Sequence, residues 1–126
     1  MQRILLAEDD GAMRGFLERE LARAGYEVEA FDNGASAYAR LRQEPFDLIL
    51  TDVVMPEMDG VELARRACEH DPDRPVIFIT GFAAVRLHGQ VERPNNTTVL
   101  SKPFHLRQLV DEVGRVLATA AARVEH

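Results

Sequence analysis

A chain of 126 residues is one domain by length, large enough to bury an ordinary core without disulfides or a structural metal. A hydrophobic fraction of 46% argues against disorder, and a formal net charge of -6 runs opposite to the basic footprint of a nucleic-acid module. One cysteine, Cys68, excludes an internal disulfide, and no run approaches the ~18–20 consecutive apolar residues of a membrane span. Cys68 reads as a small apolar residue on a helix rather than a reactive thiol. Met1-Gln2-Arg3 leads straight into Ile4-Leu5-Leu6-Ala7 and then three acids, too short for a signal-peptide core, so the expected location is the cytoplasm.

Residues 3–8 form a short apolar strand candidate ending in Glu8-Asp9-Asp10, with Gly11 as a turn residue. From Ala12 the apolar period changes. Met13, Phe16, Leu17, Leu21 and Ala24 fall three or four apart, which predicts an amphipathic helix ended by Gly25. Residues 26–31 alternate apolar and polar like a half-exposed edge strand. Asp32-Asn33-Gly34 breaks that strand and caps a second helix with Ala37, Tyr38 and Leu41 on its buried side.

Residues 46–51 are almost wholly apolar and stop on Asp52, and Pro56 with Asp59-Gly60 supplies turn chemistry behind it. Leu63, Ala64 and Ala67 line a third helix, which Asp71-Pro72 stops. Residues 75–80 and 98–101 are two further strand candidates, ended by Gly81 and by Lys102-Pro103. Leu106, Leu109, Val110, Val113 and Leu117 mark one side of a last helix, followed by an Ala-rich stretch from Ala118 expected to fray. Between residues 80 and 98, Gly89, Pro94 and Asn95-Asn96 disfavour a full helix, and a mobile segment is expected there. Strand and helix patterns alternate, which predicts one α/β domain, a parallel sheet with helices on both faces. The domain is expected to span residues 1–118, with residues 119–126 as a short tail.

In a parallel sheet, Glu8, Asp9, Asp10, Asp52, Thr80 and Lys102 end four different strands on the same rim, where open α/β sheets bind ligands. Clustered carboxylates repel: two unit charges 4 Å apart cost about 4 kcal/mol at an effective dielectric near 20. A hard divalent cation, Mg²⁺, is the economical compensation, since the histidines lack the close pairing of a zinc site. Beside Mg²⁺, Asp52 is a credible nucleophile toward phosphorus, with the Lys102 ammonium and the Thr80 hydroxyl available to phosphoryl oxygens. Taken singly, each residue has a plainer role. Asp10 reads as a helix cap, Asp47 and Asp59 as turn residues, Thr80 as a strand-end hydroxyl and Lys102 as a surface lysine.

Taken together, residues 4–10, Asp52 with residues 55–60, Thr80, and Lys102-Pro103-Phe104 resemble the receiver domain of bacterial two-component response regulators along most of the chain. The resemblance implies a flavodoxin-like doubly wound five-stranded sheet of order 2-1-3-4-5, with a weak or partly disordered fourth helix between the last two strands. It implies that Asp52 accepts a phosphoryl group from a histidine kinase or histidine phosphotransferase. It further implies Mg²⁺ bound by Asp9, Asp52 and the Val54 backbone carbonyl, with Glu8 acting through water. Thr80 matches the family's switch hydroxyl and Lys102 its lysine, with the Lys102–Pro103 bond commonly cis.

Val99 stands where many receivers carry Tyr or Phe, which puts the usual hydroxyl–aromatic coupling in question. Residues 78–82 match a receiver group with a Phe-x-Thr-Gly signature. Residues 79–85 and 99–106 are also similar to alphaproteobacterial stand-alone receivers that act with the ClpXP protease in cell-cycle proteolysis. ClpX, or a protease substrate, is then the implied downstream partner.

Three functions compete. The first is a phosphorylation switch without an output domain, at most catalysing its own phosphorylation and dephosphorylation, whose contact surface includes Val99, Phe82 and the last helix. The second is an aspartate-nucleophile phosphatase, disfavoured because Val54 stands where such enzymes place a second Asp. The third is a receiver that binds its partner constitutively, which the presence of Asp52, Thr80 and Lys102 disfavours.

Overall fold

The computed structural model describes residues 1–80 and 97–124. In chain order they form β1 (Arg3–Ala7), α1 (Gly11–Arg23), β2 (Glu27–Phe31), α2 (Gly34–Leu41), β3 (Leu48–Asp52), α3 (Gly60–His70), β4 (Val76–Thr80), β5 (Thr97–Ser101) and α4 (Leu106–Val124). The strands make one parallel sheet of order β2-β1-β3-β4-β5, the expected flavodoxin-like arrangement. The segment expected as a weak fourth helix, with Phe82 and its proposed contact surface, lies outside the described residues.

Alternation along β1 and β3 divides the core into two layers. Leu5, Ala7 and Ile49 pack with Ala37, Leu41, Leu63, Ala64 and Ala67, which places α2 and α3 on one face. Ile4, Leu6, Leu48 and Leu50 pack with Leu17, Leu21, Leu109, Val113 and Leu117, which places α1 and α4 on the other. Near-continuous apolar runs such as residues 4–7 and 48–50 are what a strand covered on both faces requires, and each fully buried Leu or Ile contributes roughly 1.5–3 kcal/mol. β2, at the edge, is the half-exposed strand that its alternation predicted.

Several local expectations shift. Phe46 and Asp47 precede β3, and Asp52 belongs to the strand as its last residue. Phe16 is exposed on α1, and Ala24 is the helix C-cap rather than part of its apolar stripe. The Ala-rich stretch from Ala118, expected as a fraying tail, continues α4 to Val124, in keeping with alanine's helix propensity.

Val99 is half-buried, lies opposite Phe78 in the β4–β5 register and packs against the α2/α3 layer. Among the described residues, no helix is long and apolar enough to cross a membrane.

Candidate functional site

The C-terminal ends of β1, β3, β4 and β5 share one edge because every strand pair is parallel. Asp52 ends β3 with its carboxylate largely buried, and its Oδ1 accepts from the Val53 N–H at 2.8 Å. Behind it the chain turns tightly into α3. The Gly60 N–H donates to the Val53 carbonyl at 2.8 Å, and a Cβ built on Gly60 would stand 1.9 Å from the Asp52 carbonyl oxygen. Only glycine permits that approach, so the loop from Val53 to Asp59 is drawn back against the strand that carries Asp52.

Glu8 follows β1 and is 1% exposed, an unusual position for a carboxylate. Its backbone and side chain are bonded throughout. The N–H donates to the Phe31 carbonyl at 3.0 Å, and the carbonyl accepts from Arg14 Nη1 at 2.9 Å. Oε2 accepts from the Asp10 N–H at 3.2 Å, and Oε1 from Lys102 Nζ at 3.3 Å. Burial raises the Glu8 carboxyl, the Asp10 N–H and the Lys102 ammonium draw it down, and the Asp52 carboxylate pushes it up. The net result is a rise from an ordinary 4.5 to about 7.

Lys102 follows β5. Its N–H donates to the Thr80 carbonyl at 2.8 Å, and the bond to Pro103 is cis, as the resemblance implied. Its Nζ lies 3.3 Å from Glu8 Oε1 and 3.5 Å from Asp52 Oδ2. Burial works against the ammonium, but Asp52 and then Glu8 outweigh it, and Lys102 is held above the ordinary lysine range. Asp9 is exposed beside them, and one carboxylate oxygen each from Glu8, Asp9 and Asp52 lie within 4.8 Å of one another.

Three carboxylate oxygens at that spacing, from two buried residues and one open to solvent, are a hard-ligand set suited to Mg²⁺ with room for water. Thr80 is fully buried at the end of β4, tied to Lys102 through its carbonyl. Val54 is 60% exposed in the loop after Asp52, so no acidic side chain stands at that position.

The acids read as structural do structural work. Asp10 caps α1, its Oδ1 accepting from the Ala12 and Met13 N–H groups at 3.0 and 3.1 Å. Asp59 caps α3 by accepting from the Glu62 N–H at 2.8 Å. Asp47 accepts from the Arg3 N–H at 2.8 Å, on the edge of the sheet remote from Asp52.

Two residues at the site escaped the sequence reading. Thr51, a hydroxyl within an apolar run, is fully buried and donates to the Asp52 carbonyl at 2.9 Å. Arg14 binds the Glu8 carbonyl. Its signal was a cation placed in the N-terminal part of a helix, where the dipole disfavours one, directly after a cluster of acids.

Comparison with known proteins agrees with this arrangement. The family description "response regulator receiver domain" matches residues 4–114. The chain is 63% identical over 120 residues to the response regulator receiver protein CpdR of Brucella abortus, covering 95% of this chain and 100% of that protein. It is 37% identical over 121 residues to the transcriptional regulator NtrC of a Bradyrhizobium species, covering 96% of this chain but 25% of that longer protein. A crystal structure of a response regulator receiver protein from Sinorhizobium medicae matches with a TM-score of 0.86 at 32% identity, covering 94% of this chain and 96% of that one.

Proposed function

The chain belongs to the response regulator receiver domain family, and from that premise we propose that it is a phosphorylation switch whose acceptor is Asp52. The observation that carries the proposal is the position of the Lys102 ammonium, 3.3 Å from Glu8 and 3.5 Å from Asp52, on a rim that also holds Asp9. A lone strand-end acid would mean little. An ammonium shared between that acid and a buried carboxylate has the charge arrangement that a transferring phosphoryl group requires.

In the proposed step an Asp52 carboxylate oxygen forms a bond to phosphorus as the P–N bond of a phosphohistidine in a kinase or phosphotransferase breaks. The released imidazole takes up a proton from solvent. Lys102 offsets charge on the phosphoryl oxygens, and the Thr80 hydroxyl is the candidate donor to another. Asp9, Asp52 and the Val54 carbonyl are the candidate Mg²⁺ ligands, with Glu8 acting through water. When bound, Mg²⁺ supplies charge neutralisation to the phosphoryl oxygens.

The protein then acts as a phosphoacceptor rather than an enzyme with released product. Val54 supports this, because an aspartate-nucleophile phosphatase would place its acid/base there and turn the acyl phosphate over. Likeness to CpdR along that protein's whole length supports output through a protein contact, in the cytoplasm, with ClpX or a protease substrate as the proposed partner in proteolytic control of the cell cycle.

Asp52→Asn and Asp52→Ala are expected to abolish labelling by a phosphohistidine donor and by a small phosphodonor with Mg²⁺. Full labelling of either variant would show that Asp52 is not the acceptor. Equal partner affinity with and without beryllofluoride would favour a constitutive binder, and rapid multiple-turnover hydrolysis of phosphomonoesters would favour the phosphatase.

A further inference from the structure

Glu8 is bonded at every polar atom, but the four partners differ in kind. Phe31 and Asp10 supply backbone groups, and Lys102 is already part of the site. Arg14 alone reaches in from a helix side chain to hold the main chain, its Nη1 2.9 Å from the Glu8 carbonyl across the β1–α1 turn. That turn carries both Glu8 and Asp9. It is anchored at one end by β1 and at the other by the Asp10 cap and the Arg14 N–H bond to the Asp10 carbonyl at 2.8 Å. Between these anchors the peptide linking Glu8 to Asp9 has its carbonyl turned to the guanidinium.

A positive charge this near the N-terminus of α1 is disfavoured by the helix dipole. The acid at that terminus is the N-cap Asp10, whose Oδ1 is engaged by the Ala12 and Met13 N–H groups, and the first turn itself holds no acid. A cation also raises no affinity for another cation. Neither helix stability nor metal attraction therefore accounts for a guanidinium here, whereas a directed hydrogen bond does. We infer that Arg14 is a positioning residue: by holding the Glu8 carbonyl it fixes the β1–α1 turn so that Glu8 and Asp9 converge with Asp52. The inference rests on the reading of those three carboxylates as the Mg²⁺ site.

The sign of one measurement separates a tether from a charge. If Arg14 acts only through its charge, removing it lowers the positive potential at the acids and Mg²⁺ binds more tightly. If Arg14 is the tether, removing it loosens the turn and Mg²⁺ binds more weakly. Loss of a group that orients a metal ligand commonly costs about 10-fold or more in metal affinity, and a hold exerted through the main chain is expected at the low end of that range.

The experiment titrates the full chain with Mg²⁺ at fixed pH and ionic strength, following amide shifts by NMR, for wild type, Asp9→Asn, Arg14→Ala and Arg14→Lys. Arg14→Ala is expected to weaken Mg²⁺ binding about 5- to 10-fold and to speed hydrogen exchange at the Asp9 amide in the metal-free protein. Arg14→Lys keeps the charge and loses the guanidinium fork, and it should fall between Arg14→Ala and wild type. Affinity equal to or tighter than wild type in Arg14→Ala overturns the tether. Should Arg14→Ala not fold, wild-type affinity in Arg14→Lys overturns it instead. Failure of the wild type to bind Mg²⁺, or wild-type affinity in Asp9→Asn, overturns the metal-site reading itself and is distinguishable from either result.

Discussion

The two edges of the sheet each bury a charged side chain, and they treat it in opposite ways. At the C-terminal edge Glu8 is 1% exposed and both carboxylate oxygens are hydrogen bonded. At the N-terminal edge Arg74, just before β4, is 9% exposed. Its Nε and Nη1 have no partner among the described residues, and its Nη2 lies 3.6 Å from Asp71 Oδ2. Burial lifts the Glu8 carboxyl to about 7 and lowers the Arg74 guanidinium from its ordinary range. A buried charge whose oxygens are both met by donors, one of them the ammonium of the site, marks a built site. A buried charge left short of partners marks a residue that packing has enclosed.

Removing the Glu8 charge tests that contrast most strongly. In the metal-free protein the Glu8 carboxyl rises from 4.5 to about 7, so between those values the folded state binds more protons than the unfolded chain. Stability contributed by this group is therefore fully present below about pH 4.5 and is lost as pH rises toward 7. Glu8→Gln carries no proton to lose. It should be more stable than wild type at pH 8, by up to roughly 3 kcal/mol at about 1.4 kcal/mol per pKa unit, with the gap closing toward pH 5. Urea melts of both proteins without Mg²⁺ across that range read the difference. A pH-independent gap would mean that Glu8 ionises normally and the site is wetter than its burial indicates.

Arg74 should answer in the same direction but without the pH profile. Arg74→Met keeps an unbranched stem among Phe46, Pro75 and Leu117, which line a cavity of about 390 Å³ beside it, and drops two buried donors. Relief of unpartnered buried groups is expected to stabilise the protein by about 1–2 kcal/mol by chemical denaturation, with Asp52 labelling unchanged. A loss of stability would show the guanidinium to be satisfied, and the two edges would then be alike.

How much of this was visible in the residues follows from the same division. The layers and the rim of Glu8, Asp9, Asp52, Thr80 and Lys102 were legible because apolar period and strand-end polarity are local signals, whereas the strand order came from the family resemblance alone. Arg14 left only the weak signal of a cation early in a helix, because its role is set by one hydrogen bond to a carbonyl six residues back. Phe16 misled because apolar spacing reports a helix stripe but not how far around the helix the sheet extends. Arg74, in the polar turn Asp71-Pro72-Asp73-Arg74-Pro75, carries no sequence signal of burial. Its neighbours include Phe46, Asp47 and Leu117, brought together from distant parts of the chain, and that is a tertiary event with no local trace.

The edges also differ in backbone, where the smallest effect is expected. Each uses a left-handed residue to turn the chain. Below the sheet it is Gly25, φ 106°, following the C-cap of α1, a position where glycine meets no steric penalty. Beside Asp52 it is Glu57, φ 69°, in the loop to α3, where a side chain must accept that conformation. The left-handed region costs an L-residue roughly 1–2 kcal/mol, and glycine gives back roughly 0.5–1 kcal/mol through the greater freedom of the unfolded chain. Glu57→Gly should therefore stabilise the protein by about 0.5–1 kcal/mol in thermal or urea melts. The same change placed at a position of ordinary negative φ in a helix would destabilise it by a similar amount. A neutral or destabilising result at Glu57 would mean that its carboxylate makes an interaction worth the strain, and the loop beside Asp52 would then be held by a side chain as well as by Gly60.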